Sequence, residues 1–425
     1  MLTKRARHCA NALAVILALM ALIGDGDAQT PAKQSPSLVP SQETLAKIYK
    51  PALPGGKVRT TYIAAEEVEW DYAPAGRDEM MGHDFMEEAQ IFVERKEGRV
   101  GRVHKKAIYV EYIDDRFETK KPKPPEWAHT GILGPILRAE VGDTLRVIFR
   151  NKTSRAYSLH PHGVFYLKAD EGAPSNDGTS GAEKKDDAVP PGETQVYVWP
   201  VPERAGPGPR DPSSVAWLYH SHTDRVKDTN AGLIGAIIIT KRGLARANLR
   251  PRDVDREFIT LWKIFDESKS WYIEEDTKKA GGEFDKLKKN DEFKESNKKH
   301  AVNGFIFGNI PVETMQMRVG EKVRWYTVAL GNEVDLHTPH WHGHTVLVNG
   351  QRMDVVPLLP AQHVQADMIP DNPGIWMIHC HVDDHLDAGM SARYQVLAKT
   401  GGQQQPAAGK AGIKGAEPPV AAHKH

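Results

Sequence analysis

The chain has 425 residues, and its 56 Lys+Arg balance 56 Asp+Glu, so composition implies no broad electrostatic pull toward nucleic acid. Its two cysteines, Cys9 and Cys380, exclude a disulfide-rich scaffold. The length suggests two or three domains.

Residues 1–28 read as a secretory signal. Lys4, Arg5 and Arg7 open it, the apolar run 12–23 follows, and Gly26 and Ala28 precede the cut. That run is too short to span a bilayer, which needs roughly 20 residues. The mature protein is therefore expected in the periplasm or outside the cell, without a membrane span. Cys380 would then be its single cysteine, and a lone thiol in an oxidising compartment is a liability unless a metal occupies it.

Residues 29–57 read as a flexible leader. Short β-like runs follow at 59–70, 106–113, 144–151, 194–201 and 232–240, separated by Gly, Pro and Asp. A second series occupies 256–265, 322–330, 344–350 and 391–397. Between them, 269–299 is dense in Lys, Glu and Asp and is expected to be a long exposed insertion. Residues 400–425 read as a disordered low-complexity tail. The segments 131–151 and 307–332 share a rhythm, and each precedes a His-rich motif. The expected fold is all-β, with two copies of one sandwich at 58–245 and 246–399.

Four motifs carry the chemistry: LHPHGV (His160, His162), WLYHSHTD (His220, His222), HTPHWHGH (His337, His340, His342) and HCHVDDHLDAGM (His379, Cys380, His381, His385, Met390). Side chains two apart on a strand share a face, so each His-X-His pair should present two neighbouring imidazoles. The pairs 160/162, 220/222, 340/342 and 379/381 offer eight imidazoles that could converge on one site. Cys380 must then face the other way, toward His337, His385 and Met390. Two His, one thiolate and a weak axial Met make a blue-copper electron-transfer site. A single His-X-His pair is usually incidental, but four pairs, one enclosing the mature cysteine, reverse those odds. His344 is expected to pack or support the site. His8, His83, His104, His129 and His363 are read as structural or surface groups.

These motifs resemble those of the multicopper oxidases, with the nearest likeness to ceruloplasmin- and hephaestin-like ferroxidases and their bacterial two-domain relatives. The likeness runs over roughly residues 60–398 and includes YIAAEEVEWDYAP, HPHGVFYLKADEGA, FKESNKKHAVNGFIFGNIP and GIWMIHCHVDDHLDAGM. It implies two Greek-key cupredoxin domains closing a homotrimeric six-domain ring. It also implies type 2 copper on His160 and His340, and a type 3 pair on His162, His222 and His379 with His220, His342 and His381. Type 1 copper would sit at Cys380. The chain departs from ceruloplasmin in having two sandwich units rather than six and no disulfides.

The resemblance implies Fe²⁺ as electron donor and O₂ as acceptor. Glu295 and His300 in KESNKKH, Asp384 beside His385, and Glu333 in GNEVDLH match the family's iron-holding positions. Asp186 and Asp187, with backbone near Lys168, match a calcium-binding stretch. The rival readings are a laccase-like phenol oxidase, a cuprous oxidase, a copper nitrite reductase and a non-catalytic cupredoxin module.

Overall fold

In period-two runs of β-branched and aromatic residues, alternate side chains reach a core while the others face outward. In 144–151, Leu145, Val147 and Phe149 are buried and Arg146 is exposed. The computed structural model describes residues 53–399. The signal segment, most of the leader and the 400–425 tail lie outside the described residues.

The first eight strands are β1 (Val58–Asp71), β2 (Val103–Tyr112), β3 (Leu137–Glu140), β4 (Thr144–Asn151), β5 (His160–Pro161), β6 (Thr194–Pro200), β7 (Ser214–His220) and β8 (Ile234–Thr240). They form sheets ordered β2-β1-β4-β6 and β3-β8-β7-β5. The next ten are β9 (Arg256–Asp266), β10 (Lys298–Val302), β11 (Gln316–Arg318), β12 (Val323–Ala329), β13 (Pro339–Trp341), β14 (Val346–Val348), β15 (Gln351–Met353), β16 (His363–Met368), β17 (Gly374–Cys380) and β18 (Ser391–Leu397). Their sheets are ordered β10-β9-β12-β16-β14-β15 and β11-β18-β17-β13.

The halves repeat each other in order and in strand direction. β1 pairs β2 antiparallel and β4 parallel, as β9 pairs β10 and β12. β8 pairs β3 parallel and β7 antiparallel, as β18 pairs β11 and β17. The shared rhythm of 131–151 and 307–332 is therefore the equivalence of β3–β4 with β11–β12.

One core lies between the first pair of sheets, around Phe149, Tyr197, Trp199 and Ile237. A second lies between the other pair, around Trp262, Trp325, Trp341 and Tyr394. A third apolar layer joins the halves. Ala216, Leu218, Ala236 and Ile238 on β7–β8 pack with Ile259, Leu261, Tyr326 and Val328 on β9 and β12. β8 is buried along its whole length because one face serves each layer.

Among the described residues helices are few and short: α1 (Glu87–Val93), α2 (Arg225–Ala231), α3 (Ile273–Lys279), α4 (Phe284–Leu287), α5 (Asp291–Ser296) and α6 (Asp383–Asp387). Three of them correct the expectation for 269–299. That segment carries three short helices, and Ile273 and Phe293 bury themselves with Val100 while most of the charges, Asp276 and Lys299 excepted, face outward. Helical spacing hides one apolar side chain per turn among charged neighbours, so composition alone reads as exposed. No helix among the described residues is long and apolar enough to cross a membrane.

Candidate metal centres

All four His-X-His pairs lie where a strand ends. His220 is the last residue of β7, His379 the last but one of β17, and β5 and β13 hold His160 and His340. Antiparallel registers set His160 opposite His220 and His340 opposite His379. The paired imidazoles lie side by side, as period two requires, with ring centroids 5.4 Å apart for 160/162, 5.5 Å for 220/222, 4.8 Å for 340/342 and 5.5 Å for 379/381.

The eight rings form two groups of four. In the first, His160 is 5.6 Å from His220 and 5.1 Å from His222, and His162 Nε2 lies 3.1 Å from His220 Nε2. In the second, His340 is 5.4 Å from His379 and 5.6 Å from His381, and His342 Nε2 lies 3.0 Å from His379 Nε2. Among the described residues no ring contact joins the two groups.

Ring orientation repeats between the groups. Nδ1 of His160 and His340 faces the carbonyl of Glu171 and Asp354, at 2.7 and 3.0 Å. Nδ1 of His220 and His379 faces the carbonyl of Ser221 and Cys380, at 3.0 and 2.8 Å. An Nδ1–H that donates to a carbonyl fixes the tautomer and leaves Nε2 as a bare lone pair, the form a metal takes. Burial pushes the ring of His162 down to about 4 and that of His220 to about 3, which keeps both neutral.

Cys380 lies on the opposite side of β17, buried and free. Its Sγ is 3.5 Å from His385 Nδ1 and 4.0 Å from His337 Nδ1, and those two nitrogens are 3.2 Å apart. Met390 is fully buried and shares this loop: its N–H donates to the His385 carbonyl, and its carbonyl accepts from the Cys380 N–H. Burial alone would push the thiol up. Donation from His337 and His385, and from the Thr338 backbone N–H 3.4 Å away, outweighs this and brings Cys380 down to about 5. A preformed thiolate between two imidazoles suits a soft, thiolate-seeking metal.

Among the described residues, ligand-competent donors converge at two places, with atoms within 4.8 Å of one another: His337, Cys380 and His385, and His340, His342 and His379. Both sets fit copper, the first as an N₂S centre with Met390 nearby and the second as an all-imidazole centre.

The four residues matched to an iron site are placed unequally. His300, on β10, is buried, its ring 5.3 Å from that of His385, and its Nδ1 has no hydrogen-bond partner. Burial pushes it down to about 3, so it is a neutral ligand-type imidazole. Asp384 is exposed at the start of α6, one residue before His385. Glu295, on α5, is half exposed and paired with Lys298 at 2.7 Å. Glu333 is exposed in the loop before His337. Among the described residues no contact joins Glu295, Asp384 and Glu333 to one another.

Asp186 is buried, with one carboxylate oxygen accepting from the Gly172 N–H and the other unpartnered. Burial pushes its carboxyl up to about 6. Asp187 pairs with Lys184 instead. His344 supports the second group: its Nδ1 lies 2.8 Å from Tyr394 Oη, which donates to the His342 carbonyl.

Sequence reasoning set aside His363 and did not single out Asp335, and both stand beside these centres. His363 packs edge-on against Trp217 at 4.5 Å and helps line a cavity of about 460 Å³ that also exposes His160 and His162. Asp335 touches His337. Neither belongs to a His-X-His pair, so only tertiary structure reveals them.

Paired sheets of this order, a Cys-His-His centre on a strand-end loop and flanking imidazole groups define a cupredoxin-like copper protein. The chain belongs to the multicopper oxidase family: family models described as multicopper oxidase match residues 128–243 and 284–400. Among similar curated proteins, "Ferroxidase HEPHL1" of Mus musculus is 47% identical over 348 residues, covering 81% of this chain. Human hephaestin and human ceruloplasmin are each 41% identical, over 81% and 80% of the chain. The chain spans about 30% of the length of these relatives. A solved multicopper oxidase superposes with TM-score 0.52 at 18% identity, covering 81% of this chain and 92% of its own. Copper nitrite reductase from Nitrosomonas europaea superposes with TM-score 0.51 at 17% identity, covering 80% and 94%. At such identities the superpositions speak for the fold alone.

Proposed function

We propose that this protein is a ferroxidase, coupling one-electron oxidation of Fe²⁺ to four-electron reduction of O₂ to water. The observation that carries this reading is the position of His300 beside His385, with an unpartnered buried nitrogen next to the Cys380 centre. Relatives 41–47% identical that are named ferroxidase, hephaestin and ceruloplasmin support it.

Bound copper would supply one-electron storage at Cys380 and the site of O₂ reduction at the imidazole groups. The residues do the rest. His337, Cys380, His385 and Met390 would hold type 1 copper. His160 and His340 would hold type 2, and His162, His220, His222, His342, His379 and His381 the type 3 pair. Cys380 adjoins His379 and His381 in sequence, so a short covalent path links the two kinds of centre. Glu295, His300, Asp384 and Glu333 would hold Fe²⁺, and hard carboxylate oxygens favour the Fe³⁺ product. Glu295 must first leave Lys298, an exposed pairing worth no more than about 1 kcal/mol.

Residues 58–245 and 246–399 are read as two cupredoxin domains, a division supported by the repeated sheet order. The separation of the histidines into two groups supports a homotrimer in which the first group of one subunit meets the second group of its neighbour. Head-to-tail contacts of this kind close into rings. The basic and apolar start of the sequence supports export to the periplasm or medium. The orphaned oxygen of Asp186 supports a calcium ion there.

The test is oxygen uptake by the copper-loaded protein with Fe²⁺, a phenol and Cu⁺ in parallel, repeated on Glu295→Ala and Asp384→Ala. A preference for Fe²⁺ that both variants lose while keeping their blue colour is the expected result. Poor use of Fe²⁺ with inert variants would leave a laccase-like or cuprous oxidase.

A further inference from the structure

The ring of His337 is held from behind. Its Nδ1 faces His385 and Cys380, and its Nε2 lies 3.4 Å from Asp335 Oδ1. Both side chains are essentially inaccessible to solvent. Asp335 is in turn fixed by backbone: the Ile264 N–H donates to Oδ1 at 2.7 Å and the Asn332 N–H to Oδ2 at 2.9 Å. The loop closes so tightly that a methyl group on Gly331 would stand 1.8 Å from Oδ2.

A buried carboxylate is costly unless its oxygens are satisfied. Here two backbone donors satisfy it and a third acceptor position is turned to the imidazole. A carboxylate on the remote nitrogen of a metal-binding histidine sets tautomer and ring angle and makes the ring a stronger donor. Ile264, which anchors Asp335, is also the register partner of His300 across β9 and β10. One strand therefore ties the backing of His337 to the residue beside His385.

Resting on the copper reading above, we propose that Asp335 is a positioning residue of the type 1 centre, locking His337 with Nδ1 toward Cys380 and lowering the centre's reduction potential. The potential falls because extra donation and nearby negative charge favour the oxidised, more positive metal.

The test uses the full copper-loaded chain. Asp335→Asn keeps the shape and removes the charge. It should weaken copper binding at the blue site about ten- to a hundred-fold in competition titration, in line with outer partners of metal-bound histidines. It should also raise the reduction potential measured by spectroscopic titration. As a check independent of the variant, the His337 Nε2 proton of the reduced, diamagnetic wild type should resonate at low field in proton NMR. An unchanged potential and affinity in Asp335→Asn, or a His337 proton at the field of a solvent-exposed ring, would overturn the assignment. Absence of a blue band from the loaded wild type would overturn the copper reading itself. A blue wild type with an inert variant sinks only the role of Asp335.

Discussion

The two halves of the molecule use one device twice and then diverge. In each, a two- or three-residue strand carrying the first histidine of a pair lies against a longer strand ending near the second pair, and both bring four imidazoles together. The match extends to packing. Gly163 follows His162 and Gly343 follows His342, both at positive φ (76° and 71°) and each beneath an indole, Trp217 or Trp376, three residues before His220 or His379. The divergence lies between the paired histidines. The residue between His220 and His222 is Ser221, which donates to the buried carboxylate of Asp228, while its counterpart is Cys380 among His337, His385 and Met390. In one half that side chain hydrogen-bonds to a buried carboxylate; in the other it is a thiol held between two imidazoles. That serine-or-cysteine position, together with His337, His385 and Met390, distinguishes the second half from the first.

Cys380→Ser breaks this distinction most severely. It should abolish both the blue band and donor oxidation while leaving the two imidazole groups able to bind copper, as read by visible absorption and metal content. Next in size is the loss of one ligand from either group. His222→Ala and His381→Ala should each abolish oxygen uptake while keeping the blue band. Their co-expression should restore part of the uptake if the groups of neighbouring subunits meet, because some interfaces then join two intact groups. Recovery limited to the sum of the separate variants would place the cluster within one chain.

Smaller effects probe the glycines. Gly163→Ala puts a methyl group 2.1 Å from the Trp217 ring and Gly343→Ala one 2.7 Å from Trp376, both in a backbone region side chains disfavour. Each should cost roughly 1–3 kcal/mol in denaturant unfolding, the first more than the second. The last prediction concerns acid. His104 and His129 are fully buried, and burial drives both from 6.5 to about 3. Unfolded chains take up protons that these folded rings refuse, so stability should fall as pH drops below about 6.5 and keep falling to about 3. Urea midpoints of the metal-free protein across that range check it.

Much of this was legible in sequence, for a physical reason. Period-two alternation marks half-buried strands such as β4 and β18, and a β-branched and aromatic run marks a buried one such as β9, so these emerge nearly at their boundaries. Period two also brings the histidines of each pair to one side and turns Cys380 to the other. Contacts between distant segments were not legible. Asp335 is two residues from a ligand, but its value depends on Ile264, 71 residues away in the chain. His363 gains its place only by packing on Trp217. Helices α3 to α5 escaped notice because Ile273 and Phe293 are few among many charges. The separation of eight imidazoles into two groups follows from sheet topology, which spacing does not encode.

The most direct test of the account is the stoichiometry of Fe²⁺ oxidised to O₂ consumed by the copper-loaded protein. Four-electron reduction to water predicts four Fe²⁺ for each O₂, with no hydrogen peroxide released. Two Fe²⁺ for each O₂ with peroxide accumulating, or no uptake at full copper loading, would contradict it.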